Sequence, residues 1–337
     1  MKRKYDIVVA GSMLVDHIKT IRRLPGRSEL VKIEGIDHST GGCVCNTGID
    51  LAILDPSLKI SAIGVVGNDR DGDMIISQLK AHGINTGGIS RRGQTSFTDV
   101  FVELEGGFRT FFQYGGACDL FDISDVDISG LDCDIFHIGY LLLLNRLDST
   151  DPDFGTIMAR LLYEVQKTGI KTSIDIVSEN SDRFSRIVPP ALKYTDYLII
   201  NEIEAGNTVG IGLRDADGRL ITALIPEVLK KLKEMGVGRW AVIHCPEEAF
   251  GIDEENRYYS APSLGLLEGW IVSTVGAGDA FCAGALLAAH RGLTLDEALI
   301  YGNAAAQVSL RSNSATGSMT TIEEALKIMD GLRGTRA

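Results

Sequence analysis

The feature that most constrains the fold is a regular alternation of short apolar runs with longer segments of helical periodicity. The apolar runs have the length of strands and occur near Tyr5–Ala10, Ile60–Val66, Ile135–Ile138, Thr172–Ile176, Asp196–Ile200 and Trp240–His244. Helical patterns occur near Asn46–Leu54, Asp71–His82, Phe154–Thr168, Ile225–Met235, Ala277–His290, Leu295–Leu310 and Ile322–Met329. Strands that are apolar throughout and alternate with helices predict a parallel sheet covered on both faces.

Two segments interrupt this alternation. Val31–His38 and Ser96–Tyr114 have the pattern of short strands with no helix between them, and the second contains the turn Gly106-Gly107. A glycine turn between two strand patterns predicts a hairpin. We therefore expect a small antiparallel sheet that projects from the main α/β body.

Length and charge exclude several kinds of protein. A chain of 337 residues exceeds the size at which a single core stops growing, so it predicts one large domain with an appendage, or two domains. The formal net charge of −12 disfavours a broad surface for nucleic acid or anionic lipid. No apolar run reaches the 18 residues of a membrane span. We expect neither nucleic acid nor membrane as a partner.

The number and spacing of the cysteines indicate whether the protein folds in a reducing or an oxidising compartment. The six cysteines include no C-x-x-C pair and do not resemble a disulfide framework. Cys43 and Cys45 do not have the spacing of a zinc site, and no His-x-x-x-His pair follows them. The sequence predicts reduced thiols in a cytoplasmic protein.

The strongest local motif is a glycine-rich turn that opens an apolar helix. It runs Ser273-Thr274-Val275-Gly276-Ala277-Gly278-Asp279-Ala280-Phe281. A helix start of this kind presents unpaired amides and the positive end of the helix dipole, which suits a phosphate. Asp279 in the first turn could take a proton from a substrate hydroxyl. The alternative is that Asp279 only caps the helix while the glycines allow close packing.

A second glycine turn also opens a helix. Gly41 and Gly42 would let a ligand approach the backbone, and Asn46 can both donate to and accept from a diol. The alternative is a tight turn with Asn46 near the helix cap. Asp16, after the first predicted strand, could hold a polyol or be an ordinary loop acid.

A third motif follows a predicted strand. Asn201 and Glu204 come directly after the run that ends at Ile200. In open α/β sheets, ligands bind beyond the carboxyl ends of the strands, and Mg²⁺ prefers a few carboxylates together with water and phosphate. The alternative is a capping asparagine with an acid in the first helical turn.

Several other site types are absent from the sequence. It contains no Gly-Lys dipeptide, hence no P-loop, no G-x-G-x-x-G after the first strand and no G-x-S-x-G. The six histidines form no H-E-x-x-H motif, and we interpret each as structural.

Taken together, these motifs and their order resemble the ribokinase-like (PfkB) carbohydrate kinase family over roughly residues 5–325. The resemblance implies a single domain over 1–337 with a three-layer α/β/α ribokinase-like fold and a mainly parallel central sheet. It also implies a small antiparallel β lid formed by segments near 12–20, 31–40 and 95–115. The implied activity is ATP-dependent, Mg²⁺-assisted phosphorylation of a hydroxymethyl group on a small sugar or sugar acid.

The same resemblance implies roles for individual residues. Asp279 would be the general base. The anion hole would comprise the amides of Gly276, Ala277 and Gly278. The substrate would be held by Asp16, Gly41, Gly42 and Asn46. The nucleotide would contact Asn201, Thr274 and Asn303, while Asn201 and Glu204 would hold Mg²⁺ mainly through water.

The chain departs from the family pattern in three places. Ser273 replaces an aspartate that helps form a monovalent-cation site in many members, so K⁺ activation is in doubt. Glu247 and Glu248 lie in a loop that usually contacts ATP phosphates, which they would repel unless they point away. Cys43 and Leu14 replace a lysine and an asparagine of typical ribokinases, so a ribose-specific site is not supported.

Alternatives within and outside this chemistry remain open at this stage. Aromatic residues of the lid could stack a base in a nucleoside kinase, or could pack a core or a dimer face: Phe101, Phe108, Phe111, Phe112 and Tyr114. A non-catalytic ligand sensor on a kinase scaffold is the third reading. Arg109 could contact an acidic sugar, although a solvated hairpin arginine is favoured. We also expect a homodimer through the lid, since a small open sheet needs its face or edge covered.

Overall fold

A nine-stranded sheet forms the centre of the protein. The computed structural model describes residues 3–179, 182–264, 266 and 269–334. In spatial order the strands are β15 (Tyr258–Pro262), β14 (Glu248–Ile252), β13 (Trp240–His244), β12 (Tyr197–Asn201), β11 (Lys171–Ile176), β8 (Cys133–Leu141), β1 (Tyr5–Gly11), β4 (Ile60–Val66) and β5 (Asn85–Arg91). Neighbouring strands are parallel except where β14 pairs with β13 and β15. The predicted mainly parallel sheet is confirmed.

Helices cover both faces of this sheet. They are α1 (Cys43–Leu54), α2 (Arg70–Ala81), α3 (Ile157–Gln166), α4 (Phe184–Leu192), α5 (Glu202–Val209), α6 (Ile225–Glu234), α7 (Ala277–His290), α8 (Leu295–Ser309) and α9 (Ile322–Gly334). Successive side chains of β1 point to opposite faces. Val8 packs in a core with α3 to α6, whereas Ile7 and Val9 pack in a second core with α1, α2, α7 and α8. The three-layer α/β/α prediction is therefore confirmed.

A second, four-stranded sheet stands apart from the body. We call it the small sheet; its strands in order are β3 (Ile33–Gly41), β2 (Leu14–Ile21), β6 (Ser96–Glu103) and β7 (Arg109–Tyr114). The outer pairs β2–β3 and β6–β7 are antiparallel, and the central pair β2–β6 is parallel. Gly106 and Gly107 have φ of 95° and 70° in the predicted hairpin turn, a backbone region that favours glycine. Because β2 spans Leu14–Ile21, Asp16 lies on a strand of the small sheet and is not a loop residue.

Several element boundaries differ from the sequence-based expectation. Helix α1 begins at Cys43, directly after its N-cap Gly42, so Asn46 lies inside the helix and does not cap it. Helix α3 begins at Ile157 because the Thr156 side chain accepts the amide of Ala159 and caps it. A short hairpin precedes it, formed by two strands of two residues each, β9 (Thr150–Asp151) and β10 (Gly155–Thr156). None of the described helices has the length and apolarity to cross a bilayer.

Candidate active site

Two cavities lie beside the start of α7. The first, of about 400 Å³, is lined by residues from the ends of β12 and β13, from α8 and from the glycine-rich turn. Asn201, Thr274 and Asn303, the three residues predicted to contact a nucleotide, all line it, as do Ala277 and Gly278. The structure thus brings the predicted nucleotide residues together around one cavity.

The second cavity, of about 360 Å³, lies between the small sheet and the body. Asp16, Gly41, Gly42 and Asn46, the four residues predicted to hold a sugar, all line it. Gly42 has φ of 86°, and a Cβ there would lie 2.6 Å from the carbonyl oxygen of Ser12. This close approach fixes the turn that carries the chain from the small sheet into α1.

The turn before α7 is also shaped by a glycine. Gly276 is the N-cap of α7 with φ of 80°, and a Cβ there would lie 2.7 Å from the Cα of Ala315. The amide of Ala277 donates to the Thr274 carbonyl at 3.3 Å, and among the described residues the amide of Gly278 has no hydrogen-bond partner. An unpaired amide at a helix N-terminus suits an anion.

Asp279 lies between the two cavities. It follows Gly278, which lines the first cavity, and its Oδ2 accepts a 3.0 Å hydrogen bond from the Asn46 amide, which lines the second. Its Oδ1 accepts a 2.6 Å bond from the Tyr140 hydroxyl and a 3.5 Å bond from the Thr47 hydroxyl. Only 8 % of Asp279 is exposed, so the carboxylate is buried and held by three donors from outside its own helix.

The electrostatics of Asp279 are set by two opposing effects. Burial raises the pKa of the Asp279 carboxyl above its ordinary value, because the charged form loses hydration. The hydrogen bonds from Tyr140, Asn46 and Thr47 act in the opposite direction, since they stabilise the carboxylate. A base that is desolvated yet held in place is suited to accept a proton from a substrate hydroxyl.

Two further acids surround this position. Burial raises the pKa of Asp175, which lies on β11, and raises the pKa of Glu204 on α5 to about 7. Asp175, Glu204 and Asp279 are buried, and among the described residues their side-chain partners are neutral donors rather than cations. Buried carboxylates without a basic partner fit a hard divalent cation bound through oxygen, so the residues present fit Mg²⁺.

Asn201 and Glu204 combine capping with a position at the cavity. The Asn201 side chain accepts the amides of Ile203 and Glu204, and the Glu204 Oε2 accepts the amide of Asn201 at 3.0 Å. The Glu204 Oε1 accepts a 2.7 Å bond from the Ser178 hydroxyl. Since these oxygens already have protein partners, the geometry fits contact with a metal through water better than direct ligation.

The unusual loop after β13 directs one of its acids away from the first cavity. Arg214 donates to Glu247 at 2.6 Å and to Glu202 at 2.5 Å, so the charge of Glu247 is compensated. His244, at the end of β13, stacks on Phe281 with ring centroids 4.9 Å apart, and burial lowers its pKa to about 4. The loop therefore presents a neutral imidazole to the cavity.

Sequence reasoning missed three residues of this site. Tyr140, Thr47 and Asp175 were not singled out, although Asp175 is the last residue but one of a predicted strand and Thr47 follows Asn46 in the motif. Arg109 was favoured as a solvated hairpin residue; it is exposed, but it also lines the second cavity, and its Nη1 lies 3.4 Å from the Ser273 Oγ. This contact joins the small sheet to the turn before α7.

The comparison with known families agrees with this geometry. Residues 4–322 match the family described as pfkB family carbohydrate kinase. The match covers nearly the whole chain, and the chain belongs to this family, whose members are phosphotransferases that act on carbohydrates.

Individual relatives extend the comparison. The chain is 21% identical over 332 residues to a 5-dehydro-2-deoxygluconokinase of Clostridium perfringens, covering 96% of this chain and 92% of that one. It is 25% identical to a ribokinase of Bacillus subtilis, covering 96% and 99%.

Solved structures share the fold. A ribokinase of Arabidopsis thaliana complexed with ribose and ATP superimposes with a TM-score of 0.76 at 20% identity, covering 98% of this chain and 99% of that one. A 2-dehydro-3-deoxygluconokinase of Thermotoga maritima gives 0.75 at 17% identity, covering 97% and 100%.

Proposed function

We propose that this protein is an ATP-dependent kinase that phosphorylates a hydroxymethyl group of a small sugar or sugar acid. The observation that carries the proposal is the position of Asp279 between the two cavities, with Gly278 lining one and Asn46 lining the other. A base at such a junction can reach a hydroxyl in one cavity and a phosphoryl group presented from the other.

The chemistry follows from these positions. The nucleotide would occupy the cavity lined by Thr274 and Asn303, with its terminal phosphate at the glycine-rich turn. The amide of Gly278 is available there, whereas the predicted contribution of Ala277 requires its amide to leave the Thr274 carbonyl. Asp279 would accept the proton of the substrate hydroxyl while the hydroxyl oxygen bonds to the γ-phosphorus and ADP leaves. The amides would stabilise the charge on the transferring group, and loss of one such donor typically costs on the order of 10²–10³ in rate.

Mg²⁺ fits this site as the expected ion. When bound, it supplies positive charge to the phosphates, and Asn201 and Glu204 would hold it, mainly through water. Because burial raises the pKa of Glu204 to about 7, this carboxyl loses its charge as the pH falls below that value. The chain's own contribution to metal binding would then weaken on the acid side.

The small sheet would act as a lid over the sugar. Asp16 and Asn46 would bind hydroxyl groups, and Arg109 is a cation at the rim that could accept a substrate carboxylate. Since Ser273 Oγ already accepts the amide of Val275 and lies beside Arg109, we propose that no K⁺ is required there.

The lining of the second cavity favours a sugar over a nucleoside. Phe111 is the aromatic residue of the small sheet that lines it. Phe101 and Phe112 pack edge to face with centroids 5.8 Å apart, and Phe112 lies next to Phe111 in a strand, so it points to the opposite face. A single aromatic ring provides half of the sandwich that would hold a base.

A substrate screen tests this assignment. ADP release would be followed with ATP and Mg²⁺ across pentoses, hexoses, deoxy sugar acids and nucleosides, with and without K⁺. We expect turnover with a sugar or sugar acid and no effect of K⁺. Turnover confined to nucleosides would identify the second candidate, and failure of the protein to bind ATP in calorimetry would favour the non-catalytic sensor.

We also propose a homodimer formed through the small sheet. Ile36 is 60% exposed and Phe112 is 56% exposed, a large apolar area for a free surface. Sedimentation should report a dimer for the wild type and a monomer for Phe112→Ser. A wild type that sediments as a monomer would contradict this.

A further inference from the structure

Close to Asp279 lies a buried group of soft and hard ligand atoms, of which only Asp175 also belongs to the acids near the proposed Mg²⁺ site. It comes from four elements of the fold, β8, β11, α1 and α7, and consists of His137, Asp175, Cys43 and Cys282. We call it the buried cluster. The ligand atoms of His137, Asp175 and Cys282 all lie within 4.8 Å of one another.

Two distances in the buried cluster are close to those around a tetrahedral metal. The His137 Nε2 lies 3.3 Å from the Cys43 Sγ and 3.8 Å from the Cys282 Sγ. Zinc bonds of about 2.3 Å to sulfur and about 2.05 Å to nitrogen, at a tetrahedral angle, separate the two ligand atoms by roughly 3.5 Å. The two observed separations bracket this value. Cys43 is not one of the three residues whose ligand atoms all lie within 4.8 Å, so its thiol has to move closer to complete the tetrahedron.

The orientation of the imidazole supports the same conclusion. The His137 Nδ1 lies 2.9 Å from the Ser173 Oγ, and when Nδ1–H donates to that hydroxyl the Nε2 lone pair faces both sulfurs. A metal-bound histidine usually donates its second nitrogen in this way. One lone pair can accept only one thiol proton well, yet two thiols lie beside it.

The charge balance also favours a cation at this position. Asp175 is buried and forms no ion pair among the described residues, and its Oδ1 accepts only the amide of Ile176. A Zn²⁺ ion that displaces the protons of both thiols adds no net charge to the core. It does, however, place a cation beside the Asp175 carboxylate, which has no positively charged partner among the described residues.

We propose that the buried cluster binds one Zn²⁺ ion through one nitrogen, two thiolates and one carboxylate oxygen. The donor set is borderline to soft, which selects Zn²⁺ over the Mg²⁺ of the phosphoryl-transfer site. The ion would cross-link β8, β11, α1 and α7 within one helical turn of Asp279, and binding would release two protons to the solvent. This proposal does not depend on the identity of the sugar substrate.

Metal titration of the full-length protein tests the proposal without reference to activity. Chelator-treated protein would be titrated with Co²⁺, whose thiolate charge-transfer bands in the near ultraviolet and visible bands report tetrahedral sulfur ligation. Zn²⁺ would then be added to displace it. We expect one equivalent of Co²⁺ with thiolate bands, displacement by Zn²⁺, and a higher unfolding temperature in the presence of Zn²⁺.

Serine variants identify the ligands. Cys282→Ser and Cys43→Ser should each weaken binding at least about tenfold and reduce the thiolate bands. Cys133→Ser is the matched control, because Cys133 is equally buried but is the first residue of β8 and lies outside the buried cluster. Circular dichroism would report whether each variant folds. If a variant fails to fold, the metal titration of the wild-type protein still tests the proposal.

Two results would overturn the proposal. The first is a wild-type protein that binds no Co²⁺, or binds it with only the weak bands of oxygen ligation, which would indicate the Mg²⁺ site alone. The second is a folded Cys282→Ser variant with the spectrum and affinity of the wild type.

Discussion

At the scale of single residues, the site depends on how Asp279 is held. Three donors from α1 and from the end of β8 fix its two oxygens, and burial opposes its ionisation. A general base must be both correctly placed and deprotonated at the working pH, so the donors serve position and pKa together. Tyr140 is the donor with the shortest bond, at 2.6 Å.

Replacing Tyr140 tests this balance. In Tyr140→Phe the carboxylate loses a donor that stabilises its charged form, so its pKa rises and the base becomes protonated at a higher pH. A charge-assisted hydrogen bond contributes about 1.5–3 kcal/mol, which corresponds to a shift of roughly one to two pH units. The acid limb of the kcat/KM profile should therefore move to higher pH by that amount.

The control for this experiment is Tyr163→Phe, because Tyr163 packs against Phe154 and Tyr194 on the far side of the sheet. Its profile should match the wild type. An unchanged acid limb in Tyr140→Phe would mean that this hydroxyl does not tune the base.

The residues of the site were predictable from sequence to the extent that they belong to local motifs. Asp279, Asn46 and Asn201 each follow a turn or a strand end, so their chemistry is visible in the chain order. Tyr140 was not predictable, because its role depends on a contact between residues 139 positions apart. Non-local contacts of this kind have no periodicity and no signature spacing.

At the scale of elements, the small sheet carries a buried carboxyl, Asp16, whose ionisation changes the stability of the fold. Burial between β2 and the body raises the pKa of Asp16 from 3.8 to about 6, although the Thr98 hydroxyl and His17 oppose the shift. Between these values the folded protein binds a proton that the unfolded chain does not, so stability falls as the pH rises through this range. Above pH 6 the ionised carboxylate costs about 3 kcal/mol.

Asp16→Asn should remove this pH-dependent cost. Relative to the wild type, the variant should gain about 2.5 kcal/mol of unfolding free energy between pH 4 and pH 8, measured by denaturant titration at both values. The same change should raise the KM for the sugar, because an amide replaces a carboxylate acceptor for its hydroxyls. An equal stability difference at both pH values would contradict the burial of this charge.

The elements themselves were predicted where their pattern is long and apolar. The six apolar runs all form strands of the central sheet. By contrast, β5, β14 and β15 were not predicted. In β5 the pattern is weak, because the strand contains Gly87 and Gly88 and alternates only slightly in burial. Helix α4 contains Pro189 and Pro190, which normally argue against a helix, and here they lie in its last turns.

At the scale of the whole molecule, the proposed function requires the small sheet to meet the body across the second cavity. Arg109, the first residue of β7, makes such a contact with Ser273, the first residue of the glycine-rich motif. In the proposed reaction, closure of this kind would exclude water from the transferring phosphoryl group and complete the charge around it. The nucleotide and sugar cavities would then be sealed as one space.

Arg109→Ala tests this coupling. Loss of the cation and of the contact should lower kcat/KM at least about tenfold. It should also raise the ratio of ADP to sugar phosphate above one, because water reaches the phosphoryl group. Arg22→Ala is the control, since Arg22 directly follows β2 of the same small sheet, is exposed and, among the described residues, forms its ion pair with Glu105. A ratio that stays at one with unchanged kcat/KM would exclude this role.

The most direct test of the account is the turnover of Asp279→Asn, measured together with its affinity for ATP by calorimetry. Asparagine keeps the size of the side chain but cannot accept the proton, so kcat should fall by about 10²–10⁴ while ATP binding and the unfolding temperature stay at wild-type values. A folded variant that retains more than about a tenth of the wild-type kcat would contradict the assignment of Asp279 as the base.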